Sequence, residues 1–132
     1  MSDVHALVID DSRTMRSLLA RQLSALGYDV LQAAHGQEAL ELLESLDDEL
    51  PVLATVDWNM PVMDGLTFVQ QVRSRVEWRG ISLMMVTTEA EHEQIVRALA
   101  AGAHDYLIKP FLPEAFVEKL NFLGLVPRRV EA

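Results

Sequence analysis

Asp10-Asp11, Asp57, Thr87-Thr88 and Lys109-Pro110 each stand directly after a short apolar run, at 4–9, 52–56, 81–86 and 104–108 respectively. Runs of this length, partly β-branched and closed by turn residues, read as buried strands of a parallel sheet. A carboxylate at the end of such a strand is costly unless it faces solvent or a cation. Pro61 and the pair Asp64-Gly65 then turn the chain over the sheet and start a helix. Asp57 is therefore expected at the carboxyl end of a central strand, where open α/β sheets place their ligands.

Strands ending in acid, hydroxyl and amine can converge on one crevice. Asp10, Asp11 and Asp57 would repel one another there at neutral pH. Either one carboxylate is protonated, or a divalent cation is bound, and oxygen-only ligands suit Mg²⁺. The partly hydrated shell of that ion leaves room for a phosphoryl oxygen. Asp57 would then be the nucleophile, because a carboxylate can carry a covalent phosphoryl group. Lys109 and Thr87 would bind the phosphoryl oxygens as charge develops on them.

The elements that must position these groups alternate along the chain. After Asp11, residues Met15, Leu18, Leu19, Leu23 and Leu26 fall at helical spacing, and Gly27 stops the helix. Arg13, Arg16 and Arg21 fall off that stripe and read as a solvated face. The functional alternative, for Arg13 and Arg16, is docking of an acidic or phosphorylated donor. Residues 28–34 read as an edge strand and 37–46 as a second helix with Ala39, Leu40 and Leu43 inward. The helix after Gly65, capped by Asp64, is expected to bury Phe68, Val69, Val72 and Val76, with Trp78 a packing residue beyond it. Residues 89–101 read as a fourth helix with Ile95, Val96 and Leu99 inward, stopped by Gly102. Pro113 fits the first turn of the last helix, whose inward face is Phe116, Leu120 and Leu123. Leu112 gives that helix start no hydroxyl cap. The histidines His5, His35, His92 and His104 lack metal-ligand spacing and read as structural or exposed.

Five strands and five helices in strict alternation imply right-handed crossovers and a parallel sheet covered on both faces. The expected fold is α/β, a doubly wound (βα)5 unit over residues 1–125, with 126–132 a patternless, frayed tail. Spacing alone does not give the strand order. The chain has 132 residues, which suits one domain, and half are hydrophobic, enough for a core. A net charge of −9 argues against nonspecific binding of nucleic acid or membrane surfaces. With no cysteine, disulfides, thiolate metal sites and thiol catalysis are excluded. No apolar run approaches membrane-spanning length, and no basic region precedes the first one, so the expected compartment is the cytoplasm.

Asp10-Asp11, Asp57, Thr87 and Lys109-Pro110, in that order on successive strand ends, resemble the receiver domain of two-component response regulators. The resemblance covers nearly the whole chain. It is strongest to the single-domain chemotaxis regulators, in Asp57-Trp58-Asn59-Met60-Pro61, Met63-Asp64-Gly65, Met85-Val86-Thr87, Glu89-Ala90 and Tyr106. It implies a flavodoxin-like fold with strand order 2-1-3-4-5. It also implies a phosphoryl group accepted by Asp57 from a histidine kinase. One Mg²⁺ would be held by Asp11, Asp57 and the Asn59 main-chain carbonyl, with Asp10 acting through water. A cis bond is implied between Lys109 and Pro110. Thr87 and Tyr106 would form the switch, the hydroxyl moving toward the phosphoryl group and the ring packing inside. Asn59, Thr88 and Glu89 would border the path of the hydrolytic water and tune phosphoryl lifetime. Thr88 is bulkier than the alanine usual at its position.

The expected output is altered binding of a protein target on the face of the fourth helix, fifth strand and fifth helix, through Ala90, His92, Val96, Tyr106 and Lys119. A flagellar motor switch protein is one such target, on resemblance alone. The chain is expected to be a monomer or weak dimer. A receiver cut from a longer regulator, or a relay passing phosphate onward, fits the same residues. A true phosphohydrolase would place a second acid two residues after the nucleophile. Asn59 stands there and cannot do general acid/base work. A degenerate receiver serving only as a binding module would not need the intact site.

Overall fold

The computed structural model describes residues 4–125, and the tail expected over 126–132 lies outside them. The elements run β1 (His5–Ile9), α1 (Arg13–Ala25), β2 (Asp29–Ala33), α2 (Gly36–Ser45), β3 (Leu53–Val56), α3 (Gly65–Arg73), β4 (Ser82–Thr87), α4 (His92–Ala101), β5 (Asp105–Ile108) and α5 (Pro113–Phe122). A single 3-10 turn, Val76–Trp78, precedes β4. All strand pairings are parallel, in the order β2-β1-β3-β4-β5. This is the doubly wound order that the resemblance implied.

Alternate strand residues feed opposite faces of the sheet. Leu7, Ile9, Ala54, Val56, Leu83 and Met85 meet Ala39, Leu43, Phe68, Val69, Val72 and Ala98 on the side of α2, α3 and α4. Ala6, Val8, Leu53, Met84, Val86 and Leu107 meet Leu19, Leu23, Phe116 and Leu120 on the side of α1 and α5. With both faces covered, β1, β3 and β4 are apolar almost throughout.

Helix ends follow the sequence closely. Ser12, His35 and Asp64 cap α1, α2 and α3, each side chain accepting a main-chain N–H of the first turn. Leu112 makes no such bond at the start of α5, as its side chain requires. The stops at Gly27 and Gly102 have φ of +102° and +125°. His104 is also structural, its Nδ1 accepting the Leu83 N–H at 3.2 Å.

Four apolar positions lie elsewhere than their spacing suggests. Leu18 is 36% exposed, because α1 turns Leu19 and Leu23 to the core and leaves Leu18 about 100° round the helix. Val76 is exposed because α3 ends at Arg73, and the 3-10 turn buries Trp78 instead, under the Arg75 guanidinium. Val96 and Leu99 are exposed because α4 packs through Ile95 and Ala98. That helix begins at His92, later than 89, since Glu89 is held in a loop. Its N–H donates to the Thr87 Oγ1 and its carbonyl accepts from the Tyr106 hydroxyl.

Candidate functional site

The site grows out of the sheet ladder. Ile9 pairs with Val56, Val56 with Met85, and Thr87 with Ile108, so the strand ends lie side by side. The ladder also runs past them. The Asp10 N–H donates to the Ala33 carbonyl at 3.1 Å, Asp57 to Ile9 at 3.0 Å and Lys109 to Thr87 at 2.9 Å. Each functional side chain therefore leaves from backbone that the sheet already fixes. The Lys109-Pro110 bond is cis.

Asp10 and Asp57 are buried, at 1% and 7% exposure, and Thr87 is fully buried. Lys109 Nζ donates to Asp10 Oδ2 at 2.9 Å and lies 3.5 Å from Asp57 Oδ2. The other oxygen of each acid is met by main chain, Asp10 Oδ1 by the Ser12 N–H and Asp57 Oδ1 by the Trp58 N–H. Burial holds the Asp57 carboxyl above its ordinary range. The nearby Asp10 charge adds to that rise, while the Thr87 hydroxyl, Lys109 and the Trp58 N–H oppose it.

Asp11 is exposed beside them. Asp10, Asp11 and Asp57 each offer a carboxylate oxygen, all within 4.8 Å of one another. Lys109 pairs with two of these three acids. A hard, all-oxygen donor set short of positive charge fits a divalent cation of the Mg²⁺ or Ca²⁺ kind.

Asn59 Nδ2 donates to Glu89 Oε2 at 3.3 Å, and Thr88 is exposed. The Tyr106 ring is packed inside, 8% exposed, with its hydroxyl donating to the Glu89 carbonyl at 2.8 Å. Burial first, then the Glu89 and Asp57 charges, push its pKa up to about 12. The more distant candidates spread over one edge of the molecule. Ala90, His92 and Val96 are exposed, and Lys119 Nζ pairs with Asp105 Oδ1 at 2.8 Å.

Two residues make contacts other than those expected of them from sequence. Arg16 is not simply solvated, since its Nη1 donates to the Asp10 main-chain carbonyl at 2.8 Å. Its position one helical turn past Ser12 is the only sequence signal for that. Gly65 entered as a turn residue and as part of the Met63-Asp64-Gly65 motif, with no close contact expected of it. A Cβ there would lie 2.2 Å from the Asp57 carbonyl oxygen, so the helix can approach the acid's backbone only without a side chain.

The family model of the response regulator receiver domain matches residues 6–121. The chain is similar to chemotaxis protein CheY1 of Helicobacter pylori, 49% identical over 116 residues that cover 87% of this chain and 92% of that protein. It is similar to a chemotaxis protein CheY homolog of Campylobacter jejuni, 46% identical over 116 residues, 87% and 88% of the two chains. Among solved structures it resembles chemotaxis protein CheY4 of Vibrio cholerae, with a TM-score of 0.82 and 34% identity over 90% of this chain and 97% of that one.

Proposed function

The chain belongs to the response regulator receiver family of two-component systems, as a CheY-like signalling switch, and we propose that Asp57 is its phosphoryl acceptor. The observation that carries this is the Asp10, Asp11 and Asp57 cluster facing one lysine beside a buried threonine hydroxyl. An Asp57 carboxylate oxygen would attack the phosphorus of a kinase phosphohistidine. The P–N bond breaks, its electron pair stays on the imidazole nitrogen, and an acyl phosphate is left on Asp57.

Lys109 lies 3.5 Å from Asp57 Oδ2 and would turn from Asp10 to the phosphoryl oxygens. Thr87 would donate to another of those oxygens. Asp11, Asp57 and the Asn59 carbonyl would hold one Mg²⁺, with Asp10 through water, and the ion supplies positive charge against the phosphoryl group. Asn59, Thr88 and Glu89 at the mouth would set how fast water reaches the acyl phosphate.

Movement of the Thr87 hydroxyl would be read by the loop at Glu89, whose N–H donates to it, and through the Glu89 carbonyl by the Tyr106 hydroxyl. The partner reading follows from the family: a histidine kinase upstream, and a protein target downstream on the edge of α4, β5 and α5. Among the described residues, no helix is long and apolar enough to cross a membrane. We read the protein as cytoplasmic and monomeric or weakly dimeric, acting on no substrate besides its own aspartyl phosphate.

Trp58 adjoins Asp57 and donates to it, so its fluorescence tests the site. Mg²⁺ followed by beryllofluoride should change the emission in two steps, and Asp57→Asn should abolish the second. A folded protein whose emission ignores both additions contradicts the reading.

A further inference from the structure

Every polar atom of Asp10 is held. Its N–H donates to the Ala33 carbonyl at 3.1 Å, its Oδ1 accepts from the Ser12 N–H at 2.9 Å and its Oδ2 from Lys109 Nζ at 2.9 Å. The carbonyl oxygen accepts from Arg16 Nη1 at 2.8 Å. β1 ends at Ile9, so this carbonyl lies just past the strand and is met by a side chain. The arginine comes from the first turn of α1, where its own N–H donates to the Ser12 carbonyl at 2.9 Å. Helical side chains lean toward the N-terminus, so Arg16 reaches back over Ser12 to Asp10. It is partly buried there, while Arg13 and Arg21 on the same helix are exposed.

The Asp10 carbonyl and the Asp11 N–H belong to one planar peptide group. Fixing that oxygen fixes the plane from which the Asp11 side chain departs. Asp11 is exposed, yet one of its carboxylate oxygens lies within 4.8 Å of an oxygen of Asp10 and of Asp57. A guanidinium suits the task, because it never loses its proton and its charge strengthens the hydrogen bond it donates. Charge alone makes it a poor neighbour for a cation site, since it offsets part of the attraction of the acids for a metal ion. Its geometry favours the site while its charge opposes it, so the two effects have opposite signs and can be separated.

We propose that Arg16 is a positioning residue of the divalent-cation site: by fixing the peptide between Asp10 and Asp11 it holds the Asp11 carboxylate beside that of Asp57. The inference rests on the reading that these acids hold Mg²⁺, and it adds a residue outside the acid cluster on which their arrangement depends.

The test titrates the full chain with Mg²⁺ and, separately, with Ca²⁺ at constant ionic strength, followed by the emission of Trp58 beside Asp57. Arg16→Met keeps an apolar stem and removes both the charge and the donors. It should weaken Mg²⁺ binding about tenfold or more, the scale for losing a group that orients a metal ligand. Ca²⁺, whose coordination is flexible, should lose less than Mg²⁺, which demands near-octahedral geometry. Arg21→Met, the same loss of charge farther along α1, should stay within about twofold of the parent, because solvent screens it. Mg²⁺ binding by Arg16→Met that equals or exceeds the parent's overturns the proposal. So does a lowered urea midpoint with unchanged Mg²⁺ affinity, the mark of a merely structural arginine, and so do equal losses for the two ions. If Arg16→Met does not fold, Arg16→Lys carries the test. Its ammonium keeps the charge but not the planar fork, so Mg²⁺ should again lose more than Ca²⁺, and parental affinity for both ions overturns the proposal. A parent whose emission ignores Mg²⁺ would instead remove the reading of the acid cluster itself, and this inference with it.

Discussion

Lys109 and Asp10, 99 residues apart in the chain, meet at 2.9 Å, closer than Lys109 comes to Asp57 at 3.5 Å. The lysine is thus drawn first to the more deeply buried acid and keeps Asp57 within reach. In this state it offsets part of the repulsion that three clustered carboxylates create.

Removing that lysine leaves Asp10 buried without its cation. Lys109→Ala should lose about 3 kcal/mol in urea unfolding without divalent ions, the scale for breaking a buried pair. Saturating Mg²⁺ should return much of the loss, because it restores positive charge to the same acids. An unfolding midpoint that is insensitive to the substitution would show the pair to be incidental.

Gly65 lies where the chain leaves Asp57 and enters α3. Gly65→Ala puts a methyl group 2.2 Å from the Asp57 carbonyl oxygen, and backbone must move to admit it. The variant should be destabilised by about 1–3 kcal/mol, as overpacked sites are. It should also accept phosphate more slowly, because the displaced backbone carries the acceptor. Parent-like stability and labelling would contradict the close approach.

His104 makes stability depend on pH at the opposite end of the sheet. Its Nδ1 accepts from the Leu83 N–H and lies 3.2 Å from the Arg73 guanidinium. Burial, then the Arg73 charge, hold its pKa below the usual 6.5. Its contribution is therefore complete above that value and is lost as pH falls through the lowered native one, where the unfolded chain binds more protons. His104→Gln cannot titrate, so its unfolding free energy should fall less steeply than the parent's as the pH is lowered from 7. Parallel curves would remove His104 as the cause.

The strand ends and the site were legible because each apolar run stops at a residue whose chemistry has no place in a core. Asp57, Thr87 and Lys109 announce themselves this way, and Asp64 does so as a cap. Helix faces were less legible where hydrophobic residues outnumber buried positions. Val96 and Leu99 fit a stripe as well as Ile95 does, and only the packing of α4 through Ala98 decides which of them face water. The start of α4 was misplaced because Glu89 is held by Thr87, two residues before it, and by Tyr106 on the neighbouring strand β5. Arg16 was illegible for a related reason, since its partner is a main-chain carbonyl with no sequence signature.

Labelling with a radioactive small-molecule phosphodonor, with and without Mg²⁺, tests the phosphoryl reading most directly. The parent should take up one acid-stable, base-labile phosphoryl group only when Mg²⁺ is present, and Asp57→Asn should take up none. Labelling of Asp57→Asn equal to the parent's, or uptake by the parent that ignores Mg²⁺, would contradict it.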